Sequence, residues 1–291
     1  MPRPSGASNG ASARATGRRP GPSTFPTRSS AGGRGPTSRS AARGPAPQTF
    51  GSGVEDQETF SALLAERLPG TEVLNFGVHG YGTDQMLLRW ELEGRRYAPD
   101  IVVLAFAYYH LDRNVSGFRF YAKPRFVLEP DGALRLAGVP VSPPEELRAA
   151  PRDAPPWPLA DHSVLLRWLW DRELRRRNAD LYQVTGQSWE LTTALIRRFA
   201  EDVHRAGARM ILLNIDEDAA WLSEPLARLA HELGIGWADA ERPLGDPRGR
   251  GVRLRLPRDP HWNPQGHAIL ADVLRDAVCR QVTVAGCPAA P

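Results

Sequence analysis

The stretch "PDIVVLAFAYY" at residues 99–109 decides the fold class of this chain. Its centre is an unbroken apolar run of strand length, rich in β-branched and aromatic residues. Such a run predicts a strand buried on both faces, as in a parallel sheet with helices above and below it. "ARMILLNID" at 208–216 repeats this pattern, and "IGWADA" at 235–240 is a shorter version of it.

Segments with helical spacing alternate with these strands. They lie at residues 55–70, 83–97, 162–177, 188–207, 223–234 and 263–281. We expect Thr83 to cap its helix, and Asn263 to cap the last one with Pro264 in first position. "TEVLNFGV" at 71–78 predicts a short strand, and "RFVLEPDGALRLAG" at 125–138 predicts a hairpin. The alternation predicts an α/β fold, a three-layer α/β/α sandwich with a mostly parallel sheet.

The excess of basic residues belongs to the first fifty positions. Residues 1–50 carry eight Arg and no Asp or Glu, and taking these eight from 37 basic residues leaves 29 against 33 acidic ones. A basic nucleic-acid face on the folded part is therefore not predicted. No apolar run reaches the roughly 18 residues of a membrane span, and no signal peptide is visible at the N-terminus. The localisation stays open.

Composition divides the chain into three parts. Residues 1–48 contain mainly Arg, Pro, Ser and Gly, and we expect a disordered head because they hold too few apolar residues to offset the entropy of ordering. Residues 49–282 are predicted to form one domain, with an insertion at about 115–185 that is either a lid over the site or part of the core. Its tryptophans are Trp157, Trp168 and Trp170. Residues 283–291 are a tail.

Polar residues cluster where chemistry sits in such sheets, at the carboxyl ends of the strands. "RDPHWNPQGH" at 258–267 holds Asp259 and His261 just before the last helix. A carboxylate on one ring nitrogen sets the tautomer of an imidazole base and stabilises its charged form. The pair therefore predicts the base end of a nucleophilic triad, and the alternative is a capping Asp with a His at the helix entry. His267 is expected to pack or to form a hydrogen bond.

Several blocks resemble those of the SGNH (GDSL-type) hydrolases. "DPHWNPQGHAILADVL" at 259–274 is similar to the closing block of that family, and "VLNFGVHGYGTDQ" at 73–85 resembles the second block. "GVEDQETFSALLAERLPGTEVLNFG" at 53–77 resembles the first helix, and "PDIVVLAFAYYHLDRN" at 99–114 lies where the third block belongs. The resemblance covers residues 49 to about 282. It implies a flavodoxin-like sheet and acyl-ester chemistry that uses no cofactor and no metal.

The resemblance also implies roles for single residues. His261 would be the base, Asp259 its orienting partner, and the backbone N–H of Gly77 an oxyanion donor. The alternative for Gly77 is a turn that requires positive φ. In the third block the usual Asn is replaced by Tyr109-His110, so His110 is either a second oxyanion donor or a buried histidine. Asn114 would contribute to substrate binding or support the loop.

The first block of the family, an apolar strand ending in Gly-Asp-Ser, is missing from this chain. Aligning "TFGSGVEDQETF" places the serine near Pro47, so the nucleophile is unknown and the first strand is expected to be missing or disordered. Thr49 and Ser52 are hydroxyls nearby. One hypothesis is that residues 1–47 come from a frame error, a misassigned start or a degraded copy of the gene.

Three functions follow from these observations. The first is a hydrolase of an acyl ester, acetyl or short-chain, on a small molecule or a carbohydrate. The second is a polysaccharide O-acyltransferase, because the "D-x-H-W" pattern is similar to that of SGNH-like alginate acetyltransferases. The third is an inactive ligand-binding homologue, which the missing serine favours. A metal hydrolase is disfavoured, since Asp259, His261 and His267 lack a further ligand at suitable spacing. Cys279 and Cys287 lack the spacing of a metal knuckle, but their positions permit a disulfide.

Overall fold

The apolar run at the centre of the sequence is a strand inside a parallel sheet. The computed structural model describes residues 40–41, 51–119, 121–141 and 179–288, and single residues between 163 and 173. Its strands are β1 (Ser40–Ala41), β2 (Ile101–Phe106), β3 (Phe118–Arg119), β4 (Tyr121–Ala122), β5 (Arg125–Leu128), β6 (Leu134–Ala137), β7 (Arg209–Asn214) and β8 (Gly236–Asp239). The main sheet has the order β1-β2-β7-β8, and each neighbouring pair is parallel.

Helices connect these strands on both sides of the sheet. The α-helices with described bounds are α1 (Phe60–Arg67), α2 (Thr83–Leu92), α3 (His110–Val115), α4 (Gln187–Arg205), α5 (Ala220–Glu232), α6 (Glu241–Gly249) and α7 (Pro264–Gln281). Single 3-10 turns lie at Asp56–Glu58, Gly94–Tyr97 and Ala179–Tyr182. The described residues 165–166, 168–169 and 172–173 of the helix predicted at 162–177 are helical.

Strand β2 shows how the sheet separates two cores. Val102, Leu104 and Phe106 belong to the core that contains α2, α4 and α5. Alternate residues of the same strand join the core that contains α1 and α7. All six positions of β2 are buried, because successive side chains point to opposite faces and both faces are covered. The three-layer α/β/α sandwich with a mostly parallel sheet is confirmed.

The prediction of a strand at 71–78 is wrong. These residues are extended but belong to no strand, and the side chains of Val73, Leu74 and Phe76 are only partly buried. A strand needs a neighbour for its ladder of hydrogen bonds. Among the described residues, the place beside β2 is taken by β1, in which Ser40 pairs with Ile101 and Ala41 with Val102. Ser40 and Ala41 are the described part of the first strand, and residues 42–50 lie outside the described residues.

A longer first strand is therefore expected to stabilise the protein. We define the restored chain as one with apolar residues at 40–44 followed by Pro45→Gly, Ala46→Asp and Pro47→Ser. We expect it to melt several degrees above the original chain, because a full strand would pair with β2 and cover the apolar side chains at 73–76. Differential scanning calorimetry tests this, with a control that carries Ser residues at 40–44. Equal or lower melting temperature for the restored chain would contradict it.

Smaller differences from the predicted elements have local causes. Thr83 is the first residue of α2 and not its cap; Gly82 is the N-cap. The short helix α3 and the helix α6 were not predicted, since α3 is a single short segment and α6 contains Pro247. The N-terminus of α7 is as predicted: Asn263 is the N-cap and accepts a hydrogen bond from the Gly266 N–H at 3.0 Å, and Pro264 is the first helical residue. The hairpin of β5 and β6 is also confirmed.

The C-terminal residues are tied to the domain. Cys279 at the end of α7 forms a disulfide with Cys287. Val284 and Cys287 pack on the core that contains α7. A Cβ on Gly286 would lie 2.0 Å from the carbonyl oxygen of Arg67, so this glycine lets the segment run close against the end of α1. Residues 283–288 therefore pack against the fold, while the head before residue 40, Trp157 and Trp170 lie outside the described residues. Trp168 is exposed.

Candidate active site

A closed loop presents the predicted base. Residues 255–262, here called the base loop, are joined at their ends by an antiparallel bridge between Arg255 and Trp262. The Leu256 N–H donates to the His261 carbonyl at 2.9 Å, and Arg258 has a φ of 62°. Trp262 is fully buried and anchors one end. The base loop is thus short and closed by its own hydrogen bonds, and it leads directly into α7.

Asp259 and His261 form a hydrogen-bonded pair at the outer part of this loop. Asp259 Oδ1 accepts the His261 backbone N–H at 2.8 Å and also contacts Nδ1 of the His261 ring. The backbone hydrogen bond, followed by the ring contact, lowers the pKa of the Asp259 carboxyl below its ordinary value. An ionised carboxylate at Nδ1 keeps the proton on that nitrogen, which leaves Nε2 as the lone-pair nitrogen. The His261 side chain is 16% exposed, so part of the ring is open to solvent.

The second block lies beside this base. The rings of His79 and His261 are 6.2 Å apart between centroids and tilted by 50°. Two residues before His79, the Gly77 N–H donates to Oδ1 of Asn75 at 2.8 Å. Asn75 itself is exposed. The predicted oxyanion donor is therefore near the base loop, and its hydrogen is engaged within its own turn.

Histidine 110 is buried at the start of α3. The Ala107 N–H donates to its Nδ1 at 3.4 Å, and its ring packs edge-on against Phe106 and Tyr109. Burial, with the charge of Arg113 adding to it, lowers the pKa of His110 well below the ordinary value, so the ring is neutral. Nδ1 is the acceptor, which puts the ring proton on Nε2, a buried atom with no hydrogen-bond partner among the described residues. Nε2 of His110 therefore carries a hydrogen that it could donate, but the side chain is fully buried.

Asn114 joins three helices. Its Oδ1 accepts the Asp84 N–H at 3.3 Å, and its Nδ2 donates to Oγ1 of Thr192 at 2.8 Å. Both ends of the buried amide are therefore used inside the protein. Asn114 supplies the cap that α2 lacks at Gly82, which explains why Thr83 is not needed there. This geometry gives Asn114 a supporting place in the structure.

The only lysine of the chain completes this network. Lys123 forms a salt bridge with Asp84, and both side chains are almost fully buried. Burial raises the pKa of Asp84 to about 6 and lowers that of Lys123, while their mutual attraction opposes both shifts. The pair connects the start of α2, which follows the second block, to the segment before β5.

Breaking this pair should destabilise the protein strongly at neutral pH. We expect Lys123→Met to cost about 3–5 kcal/mol of unfolding free energy at pH 7.5, because it leaves the Asp84 carboxylate buried without a cation. The loss should be smaller at pH 5: an acid whose folded pKa is raised binds more protons when folded, so its contribution to stability falls as pH rises from its ordinary pKa of 3.8 to the folded one. Urea unfolding at both pH values measures this.

Arg135→Met is the matched control for that experiment. Arg135 pairs with Glu129 in the exposed hairpin, so its loss should cost less than about 1 kcal/mol at either pH. Equal effects of the two substitutions would show that the buried pair does not stabilise the fold.

Two more polar residues organise the carboxyl end of the sheet. Asn214 donates from Nδ2 to Oδ1 of Asp239 at 2.9 Å, which joins β7 to β8. Asp216 Oδ2 accepts the Tyr108 N–H at 2.7 Å and so fixes the loop after β2. Burial raises the pKa of Asp216 to about 6. Both residues hold loops in place at the edge where the site lies.

The other residues considered from the sequence fall into clear places. Nδ1 of His267 accepts the Phe60 N–H at 3.2 Å and its ring stacks on Phe60, so the prediction of a packing, hydrogen-bonding histidine is confirmed. Burial lowers the pKa of His267 to about 4. Ser52 lies between two glycines of positive φ, and a Cβ on Gly53 would lie 2.3 Å from Leu256 of the base loop. Thr49 lies outside the described residues.

Sequence reasoning missed three residues beside the base. These are His79, Arg255 and Glu217. His79 stood within the recognised second block, so its position could have been noted. Arg255 and Glu217 pair across 38 residues of sequence, and no local sequence pattern predicts such a pair.

The described residues offer neither a metal cluster nor a membrane-spanning helix. No group of three or more His, Cys, Asp or Glu side chains there is arranged to hold a metal ion. Within the same ranges, no helix combines the length and apolar character of a membrane span.

The fold is thus a parallel α/β/α sandwich, and Asp259 and His261 form a hydrogen-bonded pair in the loop before its last helix. The chain belongs to the GDSL-like lipase/acylhydrolase family, whose sequence model matches residues 38–269. The matched range begins about ten residues before the boundary at 48 drawn from composition, and it includes β1. No curated protein matches the sequence.

Solved structures share the fold. A G-D-S-L family protein from Desulfitobacterium hafniense DCB-2 is 12% identical, with a TM-score of 0.50 over 82% of this chain and 99% of that one. An acetylxylan esterase from Geobacillus stearothermophilus, crystallised as a catalytic mutant, is 13% identical, with a TM-score of 0.49 over 88% of this chain and 99% of that one. At 12% identity, the likeness to the first of these structures concerns the fold alone.

Proposed function

We propose that this protein is built for hydrolysis of an acyl ester by Ser-His-Asp chemistry, with an acetyl or short acyl group on a small molecule or carbohydrate. The observation that carries the proposal is the Asp259–His261 pair, held in the base loop beside the second block. His261 Nε2 would take the proton of an attacking hydroxyl, and Asp259 would hold the ring and stabilise its charged form. The Gly77 N–H would be the oxyanion donor.

Two exposed aromatic rings support a carbohydrate as the alcohol part. Tyr108 follows β2, and its ring lies 5.7 Å from that of Tyr182 between centroids. Tyr108 is 39% exposed and Tyr182 is 38% exposed. Aromatic rings combine an apolar face with a hydroxyl, which suits the mixed surface of a sugar.

Covalent labelling tests the proposed chemistry. A fluorophosphonate probe should label the restored chain at the serine introduced by Pro47→Ser, because the His261 base activates that hydroxyl. Labelling should be lost in the same chain with His261→Ala, and mass spectrometry of the peptide locates the adduct. Labelling that is independent of His261 would overturn the assignment of the base.

A second function, ligand binding without turnover, is supported for the chain as it stands by Pro47 at the nucleophile position. In that case an acetylated xylo-oligosaccharide should bind, His261→Ala should leave binding intact, and no product should form. Isothermal titration and product analysis by mass spectrometry separate these outcomes. Acetyl transfer to a second sugar in excess of hydrolysis would instead indicate an acyltransferase.

Sequencing of the coding DNA across codons 30–60 tests the frame-error hypothesis. If another frame encodes an apolar strand that ends in Gly-Asp-Ser and joins "TFGSGVED", the result supports the esterase function directly. If the DNA encodes "RGPAPQTFG" without ambiguity, the ligand-binding function takes precedence for this chain.

A further inference from the structure

The side chain of Arg255 connects the base loop to the segment after β7. Its Nε donates to Glu217 Oε1 at 2.9 Å, and its Nη2 donates to Asp218 Oδ2 at 3.3 Å. Its Nη1 donates to the carbonyl oxygen of Pro260 at 2.6 Å. The guanidinium also lies over the Trp262 ring, 4.5 Å from the centroid. Every nitrogen of this side chain is therefore used, which a lysine in its place could not reproduce.

The anchor for Arg255 is the buried carboxylate of Glu217. The Glu217 side chain is fully buried, and its Oε1 also accepts a hydrogen bond from Arg248 at 2.9 Å. A buried carboxylate needs cations and donors around it, and Arg248 and Arg255 both supply them at Oε1. Residues 216–218 follow β7 directly, and Asp216 holds the Tyr108 N–H. One acidic segment thus contacts both the loop after β2 and, through Arg255, the base loop.

The contact with the base loop falls between the two residues of the pair. Pro260 separates Asp259 from His261 and has no N–H of its own, so its carbonyl is the backbone group by which this point can be held. A fixed carbonyl at Pro260 fixes the turn in which Asp259 accepts the His261 N–H. A displacement of about 1 Å in a reacting group can cost about 100-fold in rate, so such a restraint matters for a base.

We propose that Arg255, anchored by Glu217 and Asp218, is a positioning residue that holds Pro260 and thereby the geometry of the Asp259–His261 pair. Its use in catalysis rests on the proposed function. The positioning itself is a property of the chain as it stands, and it can be measured without turnover.

Amide hydrogen exchange of the full chain, followed by NMR, is the direct test. In Arg255→Met the N–H groups of Leu256 and His261 should exchange about tenfold faster, because the loop loses its outer restraint. The pKa of Asp259, followed by carboxyl 13C shifts, should rise toward its ordinary value as its hydrogen bond from His261 weakens. Amides of β7 should keep their protection. Arg255→Lys should give intermediate exchange, and it preserves a cation beside Glu217 if the Met variant does not fold.

Arg248→Met is the matched control. Arg248 binds the same two carboxylates, Glu217 and Asp218, and neither bond is to the base loop. Because Arg248 supports the anchor and does not touch the base loop, Arg248→Met should speed the exchange of Leu256 and His261 clearly less than Arg255→Met does. Unchanged exchange in the Arg255 variants, or an equal effect of Arg248→Met, would overturn the proposal.

The restored chain separates this proposal from the proposed function. If it hydrolyses ester, Arg255→Met should lower its kcat about tenfold with little change in KM, since a positioning residue acts on the reacting geometry. If the restored chain is inactive while the exchange results hold, the proposed function fails and the positioning role stands. A changed KM with unchanged kcat would show that Arg255 serves ligand binding instead.

Discussion

The restored chain is expected to hydrolyse 4-nitrophenyl acetate at least about 1,000-fold faster than the original chain. The physical reason is the register of β1. Ser40 pairs with Ile101 and Ala41 with Val102, and a full strand that kept this pairing would bring position 47 level with Tyr108. That is the carboxyl edge of the sheet. The turn at 51–54, which follows soon after, packs on Leu256 of the base loop.

The control for this experiment is the restored chain with alanine at position 47. It keeps the strand and its stabilising effect but has no hydroxyl, so its rate should match that of the original chain. Stopped-flow release of 4-nitrophenol measures all three proteins at equal concentration. If the alanine version is as fast as the serine version, the added strand acts on stability alone and the assignment of position 47 is wrong.

Removing the base should have the second large effect. In the restored chain His261→Ala is expected to lower kcat/KM by at least about 1,000-fold, because the serine hydroxyl would lose the group that accepts its proton. Asp259→Asn should be severe as well, since an amide can hold Nδ1 in the wrong tautomer. Steady-state kinetics with the same acetate ester give both values.

His204→Ala serves as the control for that substitution. His204 is exposed in the last turn of α4, so its removal should leave the rate within about twofold. Melting temperatures of all variants show whether each protein remains folded. A small effect of His261→Ala beside an intact fold would remove this residue from the reaction and favour a different base.

The parts of the fold that the sequence predicts well are those with a local physical signal. Strands β2 and β7 are apolar through most of their length because both faces are buried, and Asn263 with Pro264 marks the start of α7. The segment 71–78 has an equally good strand pattern, but its state depends on a neighbour elsewhere in the chain. A ladder of hydrogen bonds needs two partners, and a single segment's sequence describes only one.

The candidate site divides in the same way. Asp259 and His261 are two residues apart, so their pairing is visible in sequence. Lys123 meets Asp84 across 39 residues and Arg255 meets Glu217 across 38, and these pairs exist only once the sheet has formed. His110 and Asn114 lie in α3, which was not predicted, and their hydrogen bonds could not be inferred for a segment taken as a loop.

The burial of Lys123 has a practical consequence for labelling. It is the only lysine, its side chain is 4% exposed, and Asp84 holds its ammonium. The folded domain therefore shields the one lysine side chain of the sequence from amine-reactive reagents. A succinimidyl ester should leave Lys123 unmodified in the folded protein. Modification of Lys123 would then record opening of the fold, so the residue is a built-in reporter of unfolding.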